Sequence, residues 1–149
     1  MRAVRMFLYV LILVALFFAP LQRMEIANLE PIQSVWMSLE DDNVILKSDT
    51  GDEGSGITVE NALSDMKQKS KGVVYLDTAE YLFVSESAIE EIANVRPYMK
   101  GSVYLCKWDG KGSISEATKY ADAHRLGVKF KKWNIDSKMP ELPVIELEN

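Results

Sequence analysis

The seventeen residues from Met6 to Gln22 carry no charge and are nearly all large and apolar, and no other feature of the chain restricts its fold as strongly. As a helix rising about 1.5 Å per residue, the run reaches roughly 25 Å, the short end of a membrane span. Arg2 and Arg5 precede it and Arg23 follows, so the basic excess predicts a cytoplasmic N-terminus and a domain across the membrane. A cleaved signal peptide has the same layout. Its best cleavage point, after Ala19, would place Phe17 at −3, where a small residue is wanted, and Pro20 at +1, which is also unfavourable. The reading is therefore an uncleaved transmembrane anchor over residues 1–23, with secretion after cleavage as the alternative. No Cys lies near the end of the run to accept a lipid.

Residues 1–23 hold three of the 17 basic residues and none of the 22 acidic ones, so residues 24–149 carry 14 positive and 22 negative charges, a net of −8. Such an acidic surface repels phosphate, which excludes nucleic acid as an expected partner. A single Cys and a single His exclude an intrachain disulfide and a Cys/His zinc site built from this chain alone. Cys106 reads as a buried small hydrophobe. No cofactor and no metal is expected.

The rest of the chain divides into a tether over 24–31, an α/β domain over 32–133 and an acidic, Pro-containing tail over 134–149. Ile32–Leu39 and Val44–Lys47 are β-prone runs joined at Glu40–Asn43, which predicts a hairpin. Ser48–Gly56 reads as a Gly- and acid-rich loop. Thr58 offers an N-cap, and Val59, Ala62, Leu63 and Met66 recur at helical spacing to about Lys69. Gly72 breaks that helix, and Val73–Leu76 reads as a short buried strand. Tyr81–Val84 is a second apolar run, either a strand continuation or a pocket-lining turn. Ser87 with Glu90 predicts a capping box opening a helix that Pro97 ends. Val103–Trp108 is the next strand, and Asp109–Gly112 a loop. Ser113 with Glu116 predicts another capping box, on a helix that puts Ala117, Tyr120, Ala121 and His124 on one face. Gly127 marks its stop, and Val128–Trp133 is a final strand. Pro143–Leu147 has the composition of a short edge strand, within an end segment that otherwise reads as weakly ordered. The order predicts an α/β fold: a small, mostly parallel sheet with an N-terminal β-hairpin and about three helices, preceded by one transmembrane helix.

Two Asp-Thr turns attract attention as chemistry, Asp49-Thr50-Gly51 and Asp77-Thr78-Ala79. Aspartic proteases hold their catalytic aspartates in such turns, because two carboxylates must share one proton beside an attacking water. Apolar flanks surround Asp77, whereas polar Lys47-Ser48 precede Asp49, and the α/β order differs from the nearly all-β protease fold. The structural reading is a turn Asp that caps backbone N–H groups. Asp49, Asp52 and Glu53, with Asp41 and Asp42 nearby, could ligate a hard cation, but the EF-hand spacing of acids and glycine is absent. Gly54-Ser55-Gly56 before a helix superficially resembles a phosphate cradle, yet acids surround it and no Lys-Ser/Thr follows. His124 lacks a companion nucleophile and a G-x-S-x-G elbow, so it reads as a structural helix residue. Trp36, Trp108 and Trp133 lie on or beside strands and read as core, unless one is left exposed as a protein-binding patch.

Gly54-Ser-Gly-Ile-Thr-Val-Glu-Asn-Ala62-Leu63, Gly72-Val-Val-Tyr-Leu76, Tyr81-Leu-Phe-Val-Ser85 and Arg96-Pro97 together resemble the N-terminal domain of the spore germination receptor C-subunit family. The likeness spans about half the chain in short motifs. It implies an extracytoplasmic, membrane-tethered assembly domain without enzymatic residues, in a bacterial envelope or a sporulation or germination complex. That family is lipid-anchored through a Cys, more than twice this length, and carries further domains; this chain has no such Cys. No site residue carries over.

The expected function is a membrane-anchored, extracytoplasmic binding or assembly module, with the membrane and an envelope protein as partners. The alternatives are an aspartic-type hydrolase using Asp77 or Asp49, and a cation- or ligand-sensing domain using the acidic loop 49–53.

Overall fold

The structure, a computed structural model, describes residues 6–9, 11–12, 31–133 and 141–147. Six strands form one sheet: β1 (Ser34–Glu40), β2 (Asn43–Ser48), β3 (Glu53–Gly56), β4 (Tyr81–Val84), β5 (Tyr104–Lys107) and β6 (Val128–Lys129). Their spatial order is β3-β2-β1-β4-β5-β6. Only β1 with β4 and β4 with β5 pair in parallel; the other three pairs are antiparallel. The expected mostly parallel sheet is thus corrected to a mixed one. The reason is local: tight turns join β1, β2 and β3 into a meander, and β6 returns antiparallel along β5. The expected transmembrane helix is corrected as well. Residues 6–9 and 11–12 are helical, but no helix among the described residues is long and apolar enough to cross a membrane, a span needing about 20 residues. Most of the anchor expectation, and all of the tether before Pro31, lies outside the described residues.

The hairpin turn falls where the sequence places it. Asp41 and Asp42 both take positive φ, +48° and +61°, the backbone that a two-residue turn needs to match strand twist. The segment Ser48–Gly56, expected as a loop throughout, ends in β3 instead. Glycine makes that strand possible, because α1 (Val59–Lys69) lies directly across it. A Cβ on Gly54 would collide with Ala62 O and Met66 N and lie 2.6 Å from Met66 Cβ, and one on Gly56 would lie 2.6 Å from Ala62 N. Helix α1 itself starts at the expected Thr58 cap, whose side chain accepts from Asn61 N–H.

β4 is central and all four of its residues are buried, as expected of a strand covered on both faces. Alternation then divides the core. Val35, Met37, Leu46, Leu82, Val84 and Leu105 face one layer, beneath α1 and the segment 86–99. Trp36, Tyr81, Phe83, Cys106 and Trp108 face the other, beneath α3 (Ile114–His124) and Ile145.

Four further expectations are corrected. Val73–Leu76 is not a strand: Val73 and Tyr75 are 47% and 48% exposed, and Leu76–Thr78 is a single 3₁₀ turn. Val74 and Leu76 alone reach the core, so the run has the burial of an edge-on connector. The Ser87 capping box does not form. The Ser87 hydroxyl donates to Leu39 O at 3.1 Å instead, and Glu86–Glu91 is 3₁₀ before a one-turn helix, α2 (Ile92–Val95). The last strand shortens to Val128–Lys129 and turns into 3₁₀ at Phe130–Lys132, which drives Phe130 and Trp133 into the core. The stop of α3 is made by Arg125 in the left-handed region (φ +52°), not by Gly127. Gly127 serves close approach, since its Cβ would lie 2.6 Å from Tyr104 Cβ. The capping box at Ser113 and Glu116 is present as expected.

Candidate functional site

The two Asp-Thr turns reach the same end of the sheet, on either side of the start of β1. Gln33 N–H donates to both Asp49 carboxylate oxygens at 3.2 Å, and the Thr78 hydroxyl donates to Ile32 O at 3.0 Å. No hydrogen bond joins Asp49 to Asp77 among the described residues, so the shared proton of an aspartyl dyad has no counterpart here. Asp49 is a strand cap. At the second turn the tie is Thr78, while Asp77 is exposed on a cleft of about 530 Å³ that Tyr81, Lys100, Asp122 and Lys129 also line. Within that cleft the Tyr81 hydroxyl donates to Asp122 at 2.6 Å, and burial together with this carboxylate pushes the phenol well above its usual range.

The acids of the 49–53 loop have separate local partners. Thr50 Oγ1 donates to Asp52 at 3.1 Å, and Lys47 pairs with Glu53 at 3.3 Å. Asp41 and Asp42 sit at the far end of β2, about 20 Å away at 3.4 Å per residue. Among the described residues no group of three His, Cys, Asp or Glu side chains could hold a metal ion. Gly54 and Gly56 are filled by the helix above them. His124 is exposed, stacks on Tyr120 at 4.2 Å and places Nδ1 2.9 Å from Tyr120 O. Cys106 is buried, which pushes its thiol up to about 12 and leaves it a packing residue.

The opposite end of the sheet holds the more distinctive arrangement. β6 covers only the first half of the outer edge of β5, opposite Tyr104 and Leu105. The second half is covered by the tail: Lys107 N–H donates to Pro143 O at 2.9 Å, and Ile145 N–H donates to Lys107 O at 2.8 Å, in parallel register. The tail's own alternation then straddles the edge. Ile145 and Leu147 join the Trp108 layer, and Leu142 packs on the other. Clefts of about 610 Å³ and 440 Å³ run beside it, the first lined by Glu86, Ile89 and Leu142, the second by Trp108, Asp109, Lys111 and Leu147. A third, of about 650 Å³, separates Leu147 from Tyr120 and His124 on α3.

The tail is held by little: one fully buried side chain, Ile145, and two backbone hydrogen bonds. Beneath the tail, Trp108 is 2% exposed, and among the described residues neither its indole N–H nor that of the half-buried Trp36 has an acceptor. The two rings meet edge-on at 6.1 Å, and Phe83 closes on Trp108 at 5.8 Å. Polar groups frame the rim: Lys107 pairs with Glu86, and Lys111 with Asp109 at 3.0 Å. The Lys111 backbone N–H and ammonium hold the Asp109 carboxyl below its usual range. Sequence reasoning offers Pro143–Leu147 as a short edge strand within an otherwise weakly ordered tail; the segment does bridge β5, Val144 opposite Lys107, but which edge it would cover was not legible. The signal was the alternation Val144-Ile145-Glu146-Leu147 after a proline.

The chain matches no protein-family model, no curated protein and no solved structure. The likeness to the germination receptor C-subunit domain therefore rests on its motifs alone.

Proposed function

We propose that this chain is a non-enzymatic binding or assembly module acting at the outer side of the cell membrane, delivered there by its basic-then-apolar N-terminal segment. The observation that carries the binding role is the outer edge of β5. Half of it is left by β6 and is filled by a short segment held through two backbone hydrogen bonds, with clefts along both sides. Exposed strand edges recruit extended segments of other proteins, with backbone bonds supplying affinity and alternate side-chain pockets supplying specificity. The acidic surface of residues 24–149 favours a protein partner over nucleic acid or anionic lipid. A role in an envelope, sporulation or germination complex is the setting that the motif resemblance suggests.

The test is crosslinking in cells that produce the full chain, followed by identification of the joined proteins, with external protease reporting on which side residues 31–147 lie. Reproducible envelope proteins, crosslinked to a protease-accessible domain, are expected. A domain protected in intact cells, or crosslinks confined to cytoplasmic proteins, would refute the proposal.

A further inference from the structure

We infer that Pro143–Leu147 is a placeholder in a strand-docking groove, displaced by an extended segment of a partner protein that runs parallel to β5. The inference rests on the binding-module reading above and specifies its chemistry. The fitting segment carries an apolar side chain in the place of Ile145 and a hydrogen-bond acceptor, such as Gln or Asn, in the place of Leu147.

Three observations support this. The tail satisfies only the backbone of Lys107, through Pro143 O and Ile145 N–H. It buries one side chain fully, Ile145 at 3% exposure, while Val144 stays 50% exposed. And among the described residues the buried indole N–H of Trp108 has no acceptor, although Trp108 lines the same cleft as Ile145 and Leu147. Buried donors are usually paired in native proteins; Trp36, Ser38 and Trp133 share the lack of a partner among the described residues, and Trp108 is the one of the four that lines the cleft beside the tail. Alternation places residues 145 and 147 on one side of the strand, the side that packs in the Trp108 layer. An acceptor two positions after the apolar anchor therefore enters the cleft that Trp108 lines. The Leu147 side chain has none to offer. An intramolecular segment has the advantage of effective concentration, so it holds the groove until a better-matched strand arrives.

The experiment uses the full chain in detergent and a fluorescein-labelled peptide with the sequence of residues 141–149. Ile145→Asp in the protein vacates the groove, because Ile145 is 3% exposed in an apolar layer and a carboxylate there would be buried. The peptide is expected to bind Ile145→Asp at least ten-fold more tightly than the unaltered protein. A peptide with Gln in the place of Leu147 is expected to bind more tightly still, and Trp108→Phe in the protein should abolish that extra gain. Methylating the peptide nitrogen at the Ile145 place, which removes the donor to Lys107 O, should abolish binding. Equal affinity for both proteins, binding that survives methylation, or no advantage from Gln would overturn the inference. If Ile145→Asp does not fold, a photo-leucine peptide added in excess to the unaltered chain decides the matter. Crosslinks should map to residues 104–108, and crosslinks elsewhere would overturn the inference. An unaltered protein that sediments as a dimer, converted to monomer by Ile145→Asp, would assign the groove to a second copy's tail and also overturn it. Envelope proteins captured in cells regardless of Ile145→Asp would leave the module reading standing while this inference fell.

Discussion

Gly54→Ala should destabilise the domain although it adds one methyl group. Gly54 lies in β3 directly beneath α1, and an added Cβ would overlap Ala62 O and Met66 N and sit 2.6 Å from Met66 Cβ. Two of those atoms are backbone, so no rotamer change relieves the contact. Ordinary carbon contacts begin near 3.5 Å, so helix and strand must separate by about 1 Å. Overpacking of this kind costs about 1–3 kcal/mol. The substitution also restricts the unfolded chain, which returns about 0.4–1 kcal/mol where the native backbone suits Ala. Separating α1 from the sheet loosens Val59, Ala62, Leu63 and Met66 together, so the net loss is placed near 2 kcal/mol. With a urea slope of about 1.5 kcal/mol per molar, the midpoint falls by about 1.3 M. Circular dichroism at 222 nm through a urea titration reads this directly. Gly51→Ala is the control: φ there is +92° but nothing lies within 4 Å of an added Cβ, so only backbone strain of about 1 kcal/mol applies. A Gly54→Ala midpoint within 0.3 M of the unaltered protein, or a larger loss at Gly51 than at Gly54, would refute the close-approach account.

Removing the Ser113 side chain should cost about 1 kcal/mol through loss of the capping box. Its partner Glu116 is held below the usual carboxyl range by Ser113 N–H and hydroxyl. A depressed folded value gives stability that is present above the unfolded pKa and lost as pH falls through the folded one, so the midpoint difference between Glu116→Gln and the unaltered protein should shrink below about pH 4. At the turn before β4, Thr78→Val should lower the denaturant midpoint by about 1 kcal/mol equivalent, through loss of its bonds to Ile32 O and Tyr75 O. Asp77→Ala, on an exposed side chain, should stay within about 0.5 kcal/mol, and larger losses at Asp77 than at Thr78 would reverse that assignment. Cys106 should react with a thiol reagent at neutral pH only as fast as the protein unfolds, because it is buried with its thiol pushed up to about 12; rapid labelling of the folded protein would contradict its packing role.

Local signals proved readable where one short segment holds all the physics. Thr58 and Ser113 cap helices because the cap bond closes within three residues, and the hairpin at Asp41-Asp42 forms because the flanking strands alternate in step, Met37 opposite Leu46 and Leu39 opposite Val44. The acidic character of residues 24–149, which disfavours nucleic acid, is likewise a property of composition alone. The misread elements depend on something distant. Glu53–Gly56 reads as a loop from its glycines, and becomes a strand because α1 needs their missing side chains. Ser87 has a capping partner in sequence, yet Leu39, 48 residues away, offers its hydroxyl a better one. The parallel pairs of β1 with β4 and β4 with β5, and with them the order β3-β2-β1-β4-β5-β6, join segments far apart in sequence that no local signal specifies. The candidate site belongs to this second kind. Pro143–Leu147 carries an alternating pattern in an acidic, proline-bearing context, and only the early end of β6 creates a place for it on β5. A strand edge is defined by the neighbour that is absent, and the identity of the neighbour is decided by tertiary structure.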